Sequence, residues 1–347
     1  MPSSILESKC PVCSSTRLTT LREFSSEGAA QHFVCSGEDR KRHQDLAAHI
    51  EKLWGGSHCA IRQCLDCEFG FSDPYVAGDM LFYDLAYPRI GFPTGKWEYS
   101  RTVGELARLQ LHANRVLEVG SGYGFFLDKI ADVYVSKSGI TALEFDGSAV
   151  STLRAKGYAA IQDDIRAAEI DAGVDAIFLF QVLEHMDNLD SLFDRLSSLL
   201  RDGGLLFVAV PNPRKTTFNE QNGGLLDTPP NHIGRWTERA LSTVGKRHSF
   251  RLDRYEIEPF SLKSFALEDF KYSYQRTSQE AGTLASWSRS HKSARYGKLL
   301  AGVVALAYAP RRLTVWRKAA QAGNLGGSAW ARFTKSAASI GQNSTGQ

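Results

Sequence analysis

Residues 115–128 read RVLEVGSGYGFFLD. An apolar strand closes on an acid, glycines follow at 120, 122 and 124, and a new apolar run begins. A strand passing through such a turn into a helix lets main-chain N–H groups approach a ligand, because glycine has no Cβ and accepts a positive φ. The dinucleotide fingerprint G-x-G-x-x-G needs its third glycine at 125, where this chain has Phe125. The spacing is G-x-G-x-G instead, with Glu118 two residues ahead of the first glycine. Strand-like and helix-like stretches alternate from 113 to about 260, which predicts an α/β fold with a doubly wound, mostly parallel sheet. A chain of 347 residues leaves room for a second unit beside it.

Glu118 and its glycines resemble motif I of class I S-adenosylmethionine (SAM) dependent methyltransferases, whose sheet is Rossmann-like. The resemblance extends over about 150 residues through further motifs in order. GITALE (139–144) ends in Glu144, and an acid there can accept both ribose hydroxyls of an adenosine. Phe145 follows, where it can pack on the adenine. YAAIQ ends at Asp163 and Asp164. In the family an acid at this point takes the adenine amino group and the next N–H a ring nitrogen; the alignment favours Asp164 and Ile165 over Asp163. VDAIFLFQVLEHM (174–186) matches the fourth strand with its loop, and LRDGGLLFVAVPN (200–212) the fifth. PPNHIGRWTERAL (229–241) is similar to a segment of the small-molecule branch, with Thr237 as a helix N-cap. The resemblance implies a SAM site built from Glu118, Gly120, Ser121, Gly122, Gly124, Glu144, Phe145, Asp164, Ile165 and Gln181.

All six cysteines lie within the first 67 residues, and four form the pairs CPVC and CLDC. Thiolates of Cys10, Cys13, Cys64 and Cys67 can surround one structural zinc ion tetrahedrally. MPSSILESKCPVC has neither a basic n-region nor an apolar h-region, so the expected compartment is the reducing cytoplasm, where zinc is favoured over disulfides. The arrangement resembles the small zinc module that precedes the catalytic domain in many sugar and natural-product methyltransferases. Two features depart from it. The pairs are 50 residues apart, against about 15–20 in a compact ribbon, and Ser14 and Glu68 stand where knuckles often have glycine. GEDRKRHQDLAAHIEKLWGG, inside the gap, reads as a helical insert, and Cys35, Cys59, His32 and His58 are spare ligands.

The expected domains are a zinc module over 1–75, an aromatic linker or lid over 76–112, the methyltransferase domain over 113–270, a basic helical extension over 271–335 and a disordered tail over 336–347. In the lid, Tyr83, Tyr87 and Trp97 are candidates to line the acceptor site. Residues 281–347 hold ten Lys or Arg and no acid, whereas the first 280 residues carry the other 31 bases against 38 acids. The apolar run 299–309 is too short for the roughly 20 residues that span a bilayer. With its basic flanks and Trp287, Trp316 and Trp330, this tail suits three states: a helix on an anionic membrane surface, an RNA-binding element, or a helical subdomain packed on the catalytic domain. On the first two readings it is dispensable for SAM binding.

Methyl transfer to a hydroxyl gains from a general base, and histidine titrates in the right range. His185 follows the fourth strand and His232 the fifth, in loops from the edge where a doubly wound sheet holds ligands. The expected activity is SAM-dependent methylation of a small acceptor such as a sugar, nucleotide-sugar or lipid-linked glycan precursor. An rRNA base methyltransferase and a non-catalytic SAM-binding scaffold are the alternatives.

Overall fold

The computed structural model describes residues 8–87, 94–224, 227–278, 310 and 312–337. An N-terminal unit opens with β1 (Leu18–Ser25), α1 (Ser26–Phe33), α2 (Arg40–Trp54), β2 (His58–Cys64) and β3 (Gly70–Asp73). The helical insert expected between the cysteine pairs is α2, capped by the Asp39 side chain at one end and by Gly55 in the left-handed conformation at the other. After α3 (Met80–Ala86) and α4 (Trp97–Arg108) come β4 (Val116–Val119), α5 (Leu127–Ile130), β5 (Ile140–Leu143), α6 (Gly147–Ala155), β6 (Ala159–Ile161), β7 (Val174–Phe180) and α7 (Leu189–Leu199). The chain continues through β8 (Leu200–Pro211), α8 (Pro213–Gln221), β9 (Gly234–Arg235), α9 (Glu238–Arg247), β10 (Phe250–Ile257), α10 (Leu262–Ser278) and β11 (Ser328–Lys335).

Seven strands form the central sheet in the order β10-β11-β8-β7-β4-β5-β6. Strands β8, β7, β4, β5 and β6 run parallel, and β11 lies antiparallel between β8 and β10. The fold is therefore the expected Rossmann-like, mostly parallel sheet. All seven residues of β7 are buried, as a strand covered on both faces requires. Leu117, Val119 and Leu179 pack on one face with Leu192 and Leu196 of α7, while Val116, Ala176 and Phe178 face Leu106, Phe126 and Leu153.

Two domain boundaries differ from the sequence reading. The N-terminal sheet has the order β1-β2-β3-β9, so its last strand comes from the catalytic half, and Phe69 and Phe71 share a core with Leu179 and Trp236. The stretch read as the end of a basic helical extension is partly a strand: SAWARFTK is β11, inside the main sheet. Its basic side chains are spent within the fold. Arg332 donates to Glu105, and Lys335 to the Leu200 carbonyl. A helical stretch over 312–322 docks Trp316 against Phe265, and Arg312 pairs with Asp269. Residues 312–322 and 328–335 are therefore part of the folded unit. The apolar run 299–309, Trp287 and residues 338–347 lie outside the described residues. Among the described residues no helix is long and apolar enough to cross a membrane.

Glu105 of α4 is buried and accepts hydrogen bonds from Arg101, Arg108, Arg254 and Arg332. Burial alone would raise its carboxyl, but the guanidiniums of Arg108, Arg101 and Arg254 hold it down at about 2. Trp330 of β11 is fully buried: its indole N–H donates to Thr102 Oγ1 at 2.9 Å, and the Arg101 guanidinium lies 4.2 Å from its ring centroid. Trp330→Ala is expected to cost about 3–5 kcal/mol in urea unfolding, the range for deleting a buried large aromatic. A loss under about 1 kcal/mol would place β11 outside the core.

Candidate active site

The loops after β4, β5, β7 and β8 meet at one edge of the sheet, the edge where open α/β sheets bind ligands. Gly120, Gly122 and Gly124 have φ of 72°, 51° and 76°. A Cβ at Gly120 would collide with Val182, and one at Gly124 would sit 2.8 Å from Leu153. Both N–H groups of Gly120 and Ser121 bond the Leu143 carbonyl, at 2.8 and 3.2 Å, which fixes the turn against β5. Glu144, just past β5, reaches into the turn: its Oε2 accepts from Gly122 N–H at 2.7 Å and its Oε1 from Phe145 N–H at 2.7 Å. Phe145 is 54% exposed beside this acid.

Glu118 is 2% exposed, and its Oε2 has no hydrogen-bond partner among the described residues. Burial holds its carboxyl well above the usual range; Lys96 nearby acts the other way. An unpaired buried carboxyl is costly, and a ligand bringing a donor or a cation to it removes that cost. The glycines, Glu118 and Glu144 thus fit a cofactor with an ammonium and a ribose, as SAM has.

Three expected contacts look different in three dimensions. Asp164 is paired with Arg166, which donates to it through Nε at 2.8 Å and NH2 at 2.6 Å and also reaches Asp187. Asp163 is half-buried and, among the described residues, accepts only the N–H of Asp164, so it is the freer acid. Ile165 is buried in the core cluster beneath the sheet. The Gln181 amide donates to Glu98 and to Ser328 of β11, both at 3.2 Å, so what it can offer a ligand is its main chain, held at φ 60°.

His185 and His232 stand together, with ring centroids 4.7 Å apart. His185 Nδ1 bonds the Asn231 carbonyl at 2.6 Å and the Tyr83 hydroxyl at 3.1 Å. His232 Nδ1 bonds the Asp227 carboxylate. Burial and the neighbouring His232 push His185 down to about 3. Burial would lower His232 too, but the Asp227 charge and hydrogen bond raise it to about 9. Glu184 is 1% exposed, and burial lifts it to about 7. Asp227 escaped the sequence reading, although an acid five residues before His232 in one loop was a visible signal. Of the lid aromatics, Tyr83 joins the site, Tyr87 stacks near it at 6.4 Å, and Trp97 packs on the core under α4.

The four cysteines of the two pairs also meet. Sγ of Cys10 and Cys67 are 3.5 Å apart, as are those of Cys13 and Cys64, and all four lie within 4.8 Å of one another. Zinc with Zn–S bonds of about 2.3 Å needs S···S edges of about 3.8 Å, so the donors fit it. Ser14 and Glu68 take the left-handed turn, φ 60° and 63°, without being glycine. Cys35 and Cys59 lie apart from this cluster, Cys59 in a core with Ile61 and Phe82. His58 bonds Ser57 at the surface, and His32 lies near Asp227 and His232, whose charges act on it.

Residues 96–254 match the family described as a methyltransferase domain. Curated proteins are similar over part of the chain. A probable S-adenosylmethionine-dependent methyltransferase of Mycolicibacterium smegmatis is 34% identical over 122 residues, covering 33% of this chain and 43% of that protein. A ubiquinone biosynthesis O-methyltransferase of Brucella ovis is 28% identical over 145 residues, covering 39% and 54%. The chain thus spans about half or less of the length of these relatives. Among solved structures, N-methyltransferase NodS from Bradyrhizobium japonicum overlays with a TM-score of 0.40 and 12% identity, over 72% of this chain and 91% of that one.

Gly120→Ala is expected to weaken SAM binding at least about tenfold, since a non-glycine residue in this conformation costs about 1–2 kcal/mol before Val182 is displaced. Gly173→Ala, with φ 89° and nothing within 4 Å, carries the backbone strain alone at the opposite end of β7. Calorimetry with SAM should separate the two. Equal affinities would remove the glycine turn from the cofactor site.

Proposed function

We propose that this chain is a SAM-dependent methyltransferase acting on a small acceptor, with a structural zinc ion in its N-terminal unit. The carrying observation is the pairing of the glycine turn with two acids, Glu118 unpartnered and Glu144 on the Gly122 N–H. Glu144 would take the ribose hydroxyls, Phe145 the adenine face, and Asp163, freer than Asp164, the adenine amino group. SAM supplies a methyl already activated on a sulfonium, so the protein's share is chiefly alignment and handling of the acceptor proton.

The acceptor would lie under Tyr83 and beside His185 and His232. Each imidazole gives Nδ1 to a protein acceptor, so Nε2 is the atom left for a proton or a substrate oxygen. The acceptor class proposed is small and hydroxyl-bearing, such as a sugar, nucleotide-sugar or lipid-linked glycan precursor. The RNA reading has less support in the described part of the tail, where Arg312, Arg332 and Lys335 are engaged with partners in the protein while Arg317 and Lys318 are exposed.

Two measurements test this. Glu144→Ala removes charge-assisted hydrogen bonds worth about 1.5–3 kcal/mol each, so SAM affinity by calorimetry should fall more than tenfold. Unchanged affinity would exclude the proposed ribose site. Elemental analysis should find about one zinc per chain in the wild type and none bound stoichiometrically in Cys10→Ser. A metal-free, folded wild type would leave the four thiols as packing groups.

A further inference from the structure

Glu184, His185 and His232 present one potential ligand atom each, and these atoms all lie within 4.8 Å of one another. They come from two loops that the fold ties together. Glu184 and His185 sit in the single helical turn Leu183–His185, after β7. His232 sits just before β9, and the Ile233 N–H donates to the Glu184 carbonyl at 2.9 Å. The indole N–H of Trp236 reaches the Leu183 carbonyl at 3.4 Å, and Ser72 N–H takes the Ile233 carbonyl from the far side.

Both carboxylate oxygens of Glu184 are buried without a hydrogen-bond partner among the described residues. Buried polar atoms are almost always paired, so a carboxylate with two orphaned oxygens asks what completes it. His185 Nε2 lies 3.8 Å from Glu184 Oε1, too far for a hydrogen bond and close enough to share a central ion. Both imidazoles have the tautomer fixed from behind: Asn231 O takes the Nδ1–H of His185, and the Asp227 carboxylate that of His232. A carbonyl or carboxylate behind the ring is the arrangement that orients metal-binding histidines and turns Nε2 to the ion.

We propose that Glu184, His185 and His232 bind a divalent transition-metal ion at the acceptor side of the cleft, distinct from the zinc of the four cysteines. Two imidazoles and one carboxylate suit Mn2+, Fe2+, Co2+ or Zn2+, and three protein ligands leave positions open for oxygen atoms of a substrate. Binding of the ion stands on the cluster alone. Its use, holding an acceptor hydroxyl against the SAM methyl, rests on the methyl-transfer reading above. The acceptor class then narrows to molecules whose oxygen atoms can ligate a cation, vicinal diols among them.

The test titrates zinc-loaded, full-length protein with Mn2+, followed by the electron paramagnetic resonance of the free ion, with SAM affinity measured in parallel by calorimetry. The wild type should take up one Mn2+ per chain while keeping its zinc. Glu184→Gln should abolish that uptake, and Asp227→Asn, which leaves all three ligands in place, should weaken it about 10- to 100-fold. SAM affinity should hold in both variants, which also reports that they are folded. If Glu184→Gln fails to fold, His185→Gln takes its place. Absence of Mn2+ uptake by the wild type, or undiminished uptake in the variants, overturns the site. Uptake by a wild type that binds no SAM would support the ion and sink the methyl-transfer reading instead.

Discussion

Glu105 is a charged group with almost no exposed surface, and moving a carboxylate out of water costs several kcal/mol unless partners replace its hydration. Here the partners come from three elements: Arg101 and Arg108 of α4, Arg254 of β10 and Arg332 of β11. Glu256 and Asp253 extend the network by pairing with Arg101 and Arg332. The charge can exist only where α4 lies across both strands, so it dictates how the helix before the glycine turn meets the far edge of the sheet. Helix α4 in turn carries Glu98, which bonds Gln181 and Ser328, and is preceded by Lys96, whose charge acts on Glu118 and Glu184. The cleft therefore depends on a buried ion cluster two turns further along the same face of the helix.

The N-terminal unit acts on the cleft in a similar way. The cysteine cluster anchors the turns at either end of the unit; β2 leads to β3, and β3 pairs with β9, which begins two residues after His232. Tyr75 donates to the Met186 carbonyl at 2.9 Å, and Phe69 packs on Trp236 with centroids 4.4 Å apart. Both loops that hold the histidines are thus braced by a unit that contributes no ligand to the glycine turn.

The glycine turn, the parallel strands and the cysteine pairs were legible because each is a local pattern: a spacing, a run or a periodicity. The glycines at 120, 122 and 124 sit in the left-handed region, and VDAIFLF is a fully buried strand. What local pattern could not show was where distant segments meet. SAWARFTK read as basic tail because its neighbours lack acids, while its actual partners, Glu105 and Asp253, lie elsewhere in sequence. Asp164 looked like a ligand group until Arg166, two residues on, was seen to occupy it. Asp227 went unread because a lone acid in a loop acquires meaning only beside His232.

The position of β11 also sets an order of events on the ribosome. Strands β8 and β10 are synthesised well before Ser328–Lys335, and in the finished sheet neither pairs with the other. Until the nascent chain has delivered β11, two edges remain open with unsatisfied main-chain groups, the kind of template on which wrong pairings form. A chain that ends before Ser328 therefore carries every residue of the glycine turn and both histidine loops, yet lacks the strand that joins β8 to β10.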